Sequence, residues 1–110
     1  METPGLSADA VSKYSLSDDI AWQPHSIVSK QIIKKPNGNV TLFAFDAGES
    51  LSEHTTPYDA LVFIVDGTMD ITVGGILHQV TKGEYMLMPA GIPHGLVATV
   101  QAKMLLTMIK

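Results

Sequence analysis

From Ile27 onward the chain reads as short runs of apolar and β-branched residues separated by turn residues at close intervals, with no long amphipathic helical pattern between them. The run "IVSKQIIKK" meets "NVTLFAFDA" through Pro36-Asn37-Gly38. Asn-Gly between two strand-like runs predicts a type I′ hairpin, because both residues tolerate positive φ. A second hairpin is expected where "MDITV" turns through Gly74-Gly75 into "ILHQV". "KGE" and "AGIP" then turn the chain into and out of "YMLMP", before "HGLVATV" and "KMLLTMIK". The pattern predicts roughly eight strands, as in a jelly roll.

Strands covered on one face alternate apolar and polar residues, yet "TLFAF" and the "ALVFIV" of "SEHTTPYDALVFIVDG" are apolar on both faces. Something must therefore cover the outer face as well. In so short a chain a second copy is the expected cover, in a homodimer with either Leu61, Phe63 and Val65 or the opposite set, Val62 and Ile64, in the interface. Residues 1–21 are polar and interrupted by Pro4 and Gly5, with Ser17-Asp18-Asp19 able to start one helical turn. We read residues 1–21 as a loosely held arm and residues 22–110 as a single domain.

Composition narrows the class. At 110 residues, 45% of them hydrophobic and 16% charged, the chain can bury one core and is not of disordered type. No apolar run approaches the roughly 18 residues of a membrane-spanning helix. The first twenty residues lack the basic start and apolar stretch of a secretory signal, so the cytoplasm is the expected compartment. A net charge of −4 with seven scattered Lys and no Arg offers no basic stripe for phosphates, so neither nucleic acid nor membrane is an expected partner. With no cysteine, any site must be built from four histidines, carboxylates, hydroxyls and thioethers.

One spacing carries candidate chemistry. Gly48, five residues, His54, then Thr56, Ala60 and Gly67 form its first half; Gly83, five residues, Pro89, Gly91 and His94 form its second. The glycines stand where strands must reverse, and Pro89 and Pro93 stiffen the loop before His94. This framework resembles the cupin family, whose motifs run G-x5-H-x-H-x3-4-E-x6-G and G-x5-P-x-G-x2-H. The resemblance covers about residues 40 to 110 and implies an all-β fold, a small RmlC-like double-stranded β-helix or jelly-roll barrel. In the family the two histidines of H-x-H lie at i and i+2 on one strand and, with the glutamate and the last histidine, hold a metal inside the barrel.

Here His54 and His94 match the first and last ligands, but Thr56 stands for the second histidine and Ala60 for the glutamate. Two imidazoles alone hold a divalent ion weakly. His78, on strand parity with Ile76 and Val80, and His25 are the candidates to repair the set, while Asp59 is out of register with the glutamate position and should face away. Met86 and Met88 share one strand face, as do Met104 and Met108; a soft apolar pocket wall is the reading, with copper(I) the alternative. Tyr58 and Tyr85 are candidate acids for epimerase-like proton transfer.

The expected function is a binding module, with a small organic molecule in a pocket lined by His54, Thr56, Ala60, Met86, Met88 and His94 and neither cofactor nor catalysis required. The alternative is a metal-dependent oxygenase or isomerase using a divalent transition metal on His54 and His94, joined by His78 or His25.

Overall fold

The computed structural model describes residues 11–110, and every regular element among them is a β-strand. In chain order these are β1 (Ile27–Lys35), β2 (Gly38–Phe45), β3 (Ser50–His54), β4 (Asp59–Asp66), β5 (Thr68–Val73), β6 (Ile76–Thr81), β7 (Tyr85–Met88), β8 (His94–Val97) and β9 (Ala102–Ile109). They form two antiparallel sheets, a five-stranded one in the order β1-β2-β9-β4-β7 and a four-stranded one in the order β3-β8-β5-β6. The fold is a jelly roll.

The described residues form nine strands rather than eight because "SEHTTPYDALVFIVDG" is two of them. The chain breaks at Thr55–Tyr58, around Pro57, whose ring removes a ladder donor, so β3 and β4 join different sheets. The Gly74-Gly75 hairpin forms as its residue types predict: Val73 pairs with Ile76, and the glycines take φ of 57° and 81°. The first hairpin is real but of another type. Lys35 pairs with Gly38 across Pro36-Asn37, and neither Asn37 nor Gly38 has positive φ. Proline's ring holds the first loop residue near −65°, which excludes a type I′ turn. Gly38 is instead required by close approach, since a Cβ there would collide with the carbonyl oxygen of Met108 on neighbouring β9.

The strand β4 shows how both of its faces are used. Ala60, Val62 and Ile64 point between the sheets and are buried in the main core with Phe45, Met69 and Ile71. Leu61, Phe63 and Val65 point out. The outer face over Phe63 and Val65 is covered by the chain's own amino-terminal segment: Ile20 is buried there against Leu42, Ala44 and Val65, with Leu16 and Trp22 packed alongside.

This corrects two expectations. Val62 and Ile64 are wholly interior and Val65 is buried within the chain, so none of the three is free to meet a partner. The segment read as a loose arm is fastened from Leu16 onward. Trp22 Nε1 donates to the Ala102 carbonyl at 3.0 Å, and Lys103 Nζ lies 4.4 Å from the centre of the Trp22 ring and donates to the Ser17 carbonyl. An Asp19–Lys30 ion pair at 2.7 Å adds a surface tie. An apolar residue every few positions, Leu16, Ile20 and Trp22, gives this otherwise polar segment enough buried surface to stay down. Ser17-Asp18-Asp19 start no helical turn; a turn two residues earlier is closed by a single Ser15 C=O to Asp18 N–H hydrogen bond. Pro4 and Gly5 lie outside the described residues.

Candidate functional site

The site begins with an irregularity in β3. Leu51 pairs with Leu96 of β8, and regular pairing would next set Glu53 opposite His94; a register shift sets His54 there instead. The bulge turns His54, rather than Glu53, toward the space between the sheets. Gly95 makes room for it, since a Cβ at that position would press to 3.3 Å on both Glu53 N and the Leu51 carbonyl oxygen.

The two rings meet edge to face, with centroids 4.4 Å apart and planes at 62°. His54 Nδ1 is 2.8 Å from the Ser52 carbonyl and His94 Nδ1 is 3.1 Å from the Ile92 carbonyl. A carbonyl only accepts, so each Nδ1 carries the proton. In the neutral rings both Nε2 atoms are therefore left with a free lone pair. His94 is buried and His54 lies at the exposed mouth.

Behind the mouth is a cavity of about 300 Å³. His54, Thr56, Ala60, Met88 and His94, five of the six residues expected to line a pocket, border it. Met86 does not. It pairs with Val62, one inward-facing tier deeper than the Ala60–Met88 pair, and packs against the core. Thr56 is in the loop after β3 rather than two residues along the same strand as His54. Its hydroxyl accepts from Tyr58 N at 3.3 Å, and its carbonyl accepts from Gly91 N at 2.8 Å. Asp59 faces away, as its register predicts, and accepts from Ala90 N at 2.9 Å. These two bonds hold the Pro89–Pro93 loop that delivers His94.

The wall also contains Met104 and Met108 of β9, in keeping with the soft apolar pocket wall expected of these methionines. β9 lies between β2 and β4, so Met108 stands beside Ala60. Leu51 and Thr55 line the cavity as well. Neither tyrosine does. Tyr85 pairs with Phe63 on the outer face and is exposed, and Tyr58 lies outside the cavity with Lys110 6.0 Å from its ring centre. His78 shares strand parity with inward-facing Val80, but β6 is a sheet edge and the residue is exposed, away from the cavity. His25 is in the turn before β1, at φ 56°.

A family model for the cupin domain matches residues 41–110. The chain belongs to the cupin family. A Streptomyces coelicolor protein of uncharacterised function is 38% identical over 64 residues, which are 58% of this cupin and 61% of that relative, so the match spans less than two thirds of the relative's length. Among solved structures, a cupin 2 conserved barrel domain protein from Leptotrichia buccalis superposes with a TM-score of 0.86 at 42% identity, over 88% of this chain and 47% of that one. A conserved Streptococcus pyogenes protein of unknown function superposes at 0.87 and 28% identity, over 99% and 93% of the two chains.

Cupins of the metal-binding kind need a set of imidazoles and a carboxylate, and this cupin's cavity does not supply it. It has two imidazoles, a threonine hydroxyl engaged by Tyr58 N, and Ala60 where a carboxylate would stand. Among the described residues no group of three or more His, Cys, Asp or Glu is placed to hold an ion. A hard divalent ion would have to enter a neutral pocket with two ligands, which does not fit. Among the described residues, no helix is long and apolar enough to cross a membrane.

Proposed function

We propose that this cupin is a binding module for a small, largely apolar organic molecule that carries a hydrogen-bond donor. The observation behind the reading is the pair of carbonyl-fixed imidazoles, each leaving an Nε2 lone pair at one end of an otherwise mostly apolar cavity of about 300 Å³. Two acceptors in a low-dielectric pocket favour a hydroxyl or N–H over a bare hydrocarbon, and no Lys or Arg lines the wall to hold an anion. The reading assigns no catalytic step, and it needs no divalent metal. The oxygenase or isomerase alternative lacks both the ligand set and the tyrosine acids in the cavity. The cytoplasm is the compartment that goes with it.

The test compares 4-methylphenol with toluene, alike in shape and different by one hydroxyl. We expect 4-methylphenol to raise the Tm and shift the His54 and His94 ring resonances more than toluene does, and both effects to vanish in a His54→Ala/His94→Ala variant. No response, or equal responses to the two probes, would sink the reading.

We also propose a homodimer, now confined to the uncovered part of the outer face. Leu61 and Leu87 pair there across β4 and β7, and Ile109 borders the same shallow groove; Leu87 and Ile109 are exposed by 63% and 61%. A two-fold axis through this strip would bring it against itself, which an apolar sheet face of one chain permits without further residues. Light scattering at micromolar concentration should give twice the chain mass of 11.8 kDa, reduced to one chain by Leu87→Lys. A monomer of the unaltered protein would refute it.

A further inference from the structure

Three of the chain's six methionines, Met88, Met104 and Met108, border the same cavity as His54 and His94. Their placement is not random across the sheet. On the floor of the cavity Ala60 pairs with Met88 on one side and Met108 on the other, so two thioethers flank the shortest side chain of that tier. On the facing sheet, His54 pairs with His94. Where the family's carboxylate would stand there is a methyl group, and on both sides of it there is sulfur.

From this juxtaposition we infer that the pocket is a site for a soft monovalent cation, copper(I), held by His54 and His94 through Nε2 and by the thioethers of Met88 and Met108. The donor set is neutral throughout. The cost of burying an ion rises with the square of its charge, so a neutral N2S2 set, buried at His94 and Met88 and open at His54, discriminates against divalent ions that a carboxylate would otherwise stabilise. Thioethers add to that preference, being poor ligands for hard ions and good ones for copper(I). The carbonyl bonds to both Nδ1 atoms are the outer contacts that orient ligating imidazoles and fix which nitrogen is free. Methionine side chains also have the rotational freedom to close on an ion from a floor whose centre is alanine. Copper(I) on both Nε2 atoms takes the lone pairs that the proposed organic ligand uses, so the two compete for one end of the cavity of about 300 Å³.

The experiment is a competition under nitrogen, with copper(I) supplied as its acetonitrile complex and bicinchoninate as the coloured competitor. The full chain, purified without an affinity tag, should take one equivalent from the competitor. A Met88→Leu/Met108→Leu variant keeps the packing volume, and should retain its Tm within a few degrees while binding at least tenfold more weakly. His54→Ala/His94→Ala should not bind. Silver(I), which has no redox chemistry under these conditions, should displace copper(I), and X-ray absorption should show sulfur among its neighbours. Equimolar zinc(II) or manganese(II) should leave copper(I) in place. No withdrawal of copper(I) from bicinchoninate, equal affinity in the leucine variant, or displacement by zinc(II) would each overturn the inference. The copper(I) competition contains no organic probe and the 4-methylphenol titration contains no metal, so the two readings of the cavity fail separately.

Discussion

The two ends of the barrel are made by the same strands and differ at every level. At the closed end, inward positions carry Phe45, Ile64, Met69 and Ile71, all without solvent exposure. The outside of the same end is covered by Ile20 and Trp22, and its loops are tied by Asp46, which accepts from His25 N at 2.7 Å and Gln101 Nε2 at 3.1 Å. At the mouth, four residues back along β4, Ile64 gives way to Ala60 and the interior becomes a cavity. The outer face there, at Leu61, Leu87 and Ile109, has no cover among the described residues. Stability is concentrated at one end, and the surfaces free to meet something else are at the other.

The largest test of that contrast is truncation. Phe45→Ala should cost about 3–5 kcal/mol, because a close-packed end cannot collapse around the loss. Met108→Ala, beside space that already exists, should cost about half as much in the same urea titration. Comparable losses at the two positions would erase the distinction.

Enlargement should run the other way. Ala98→Leu at the closed end, where the methyl is wholly buried, should destabilise by about 1–3 kcal/mol through overpacking. Ala60→Leu should be near neutral in Tm, because the cavity accepts the added atoms, while abolishing the response to 4-methylphenol. A large loss of Tm in the second variant would show that the cavity is less open than the structure has it.

The arm gives an intermediate effect. Trp22→Ala removes a partly buried ring, its bond to Ala102 and the partner of Lys103, and should cost about 2 kcal/mol. Amide exchange should speed up over residues 16–22 and leave the strands pairing at His54 and His94 unchanged. Faster exchange at the mouth would mean that the ends are not independent.

The smallest effect is at Asp46. The backbone N–H of His25, and after it the Gln101 side chain, hold its carboxyl below the ordinary value of 3.8. A depressed folded-state pKa adds stability that is present above 3.8 and is lost as pH falls through the lower folded value. Asp46→Asn should therefore show a slightly lower urea midpoint than the unaltered protein at pH 7, with the gap closing as the pH drops below 3.8. A gap independent of pH would assign the effect to something other than this charge.

The sequence already showed much of this architecture and less of the site. Periodicity and turn residues located eight of nine strands, and the Gly74-Gly75 turn came out as its chemistry requires, because these are local properties. Two local readings yielded to stronger local facts: Pro36 set the φ of the first hairpin, and Pro57 divided one apparent strand into two. The outer face of Phe63 and Val65 is covered within the chain, because three apolar residues in a polar segment, Leu16, Ile20 and Trp22, pack over it. At the site, the spacing of His54 and His94 indicated a shared pocket. It did not indicate which wall faces them, since Met108 reaches Ala60 only through the pairing of β9 with β4, a long-range fact that no window of the chain contains. The bulge that selects His54 over Glu53 was equally hidden, although Gly95 opposite it was its one visible trace.

The position of β9 has a further consequence, for the time course of folding. The last strand in the chain lies in the middle of the five-stranded sheet, joining Thr41 of β2 to Leu106 and Leu106 to Val62 of β4. During synthesis β2 and β4 are made early and must wait, each with an open edge, until residues 102–109 leave the ribosome. Until then the hairpins β1–β2 and β5–β6 can pair, but the sheet that floors the cavity cannot be completed. Such distant pairing makes for slow folding. It also leaves the pocket without the wall of Met104 and Met108 until the central strand closes the gap.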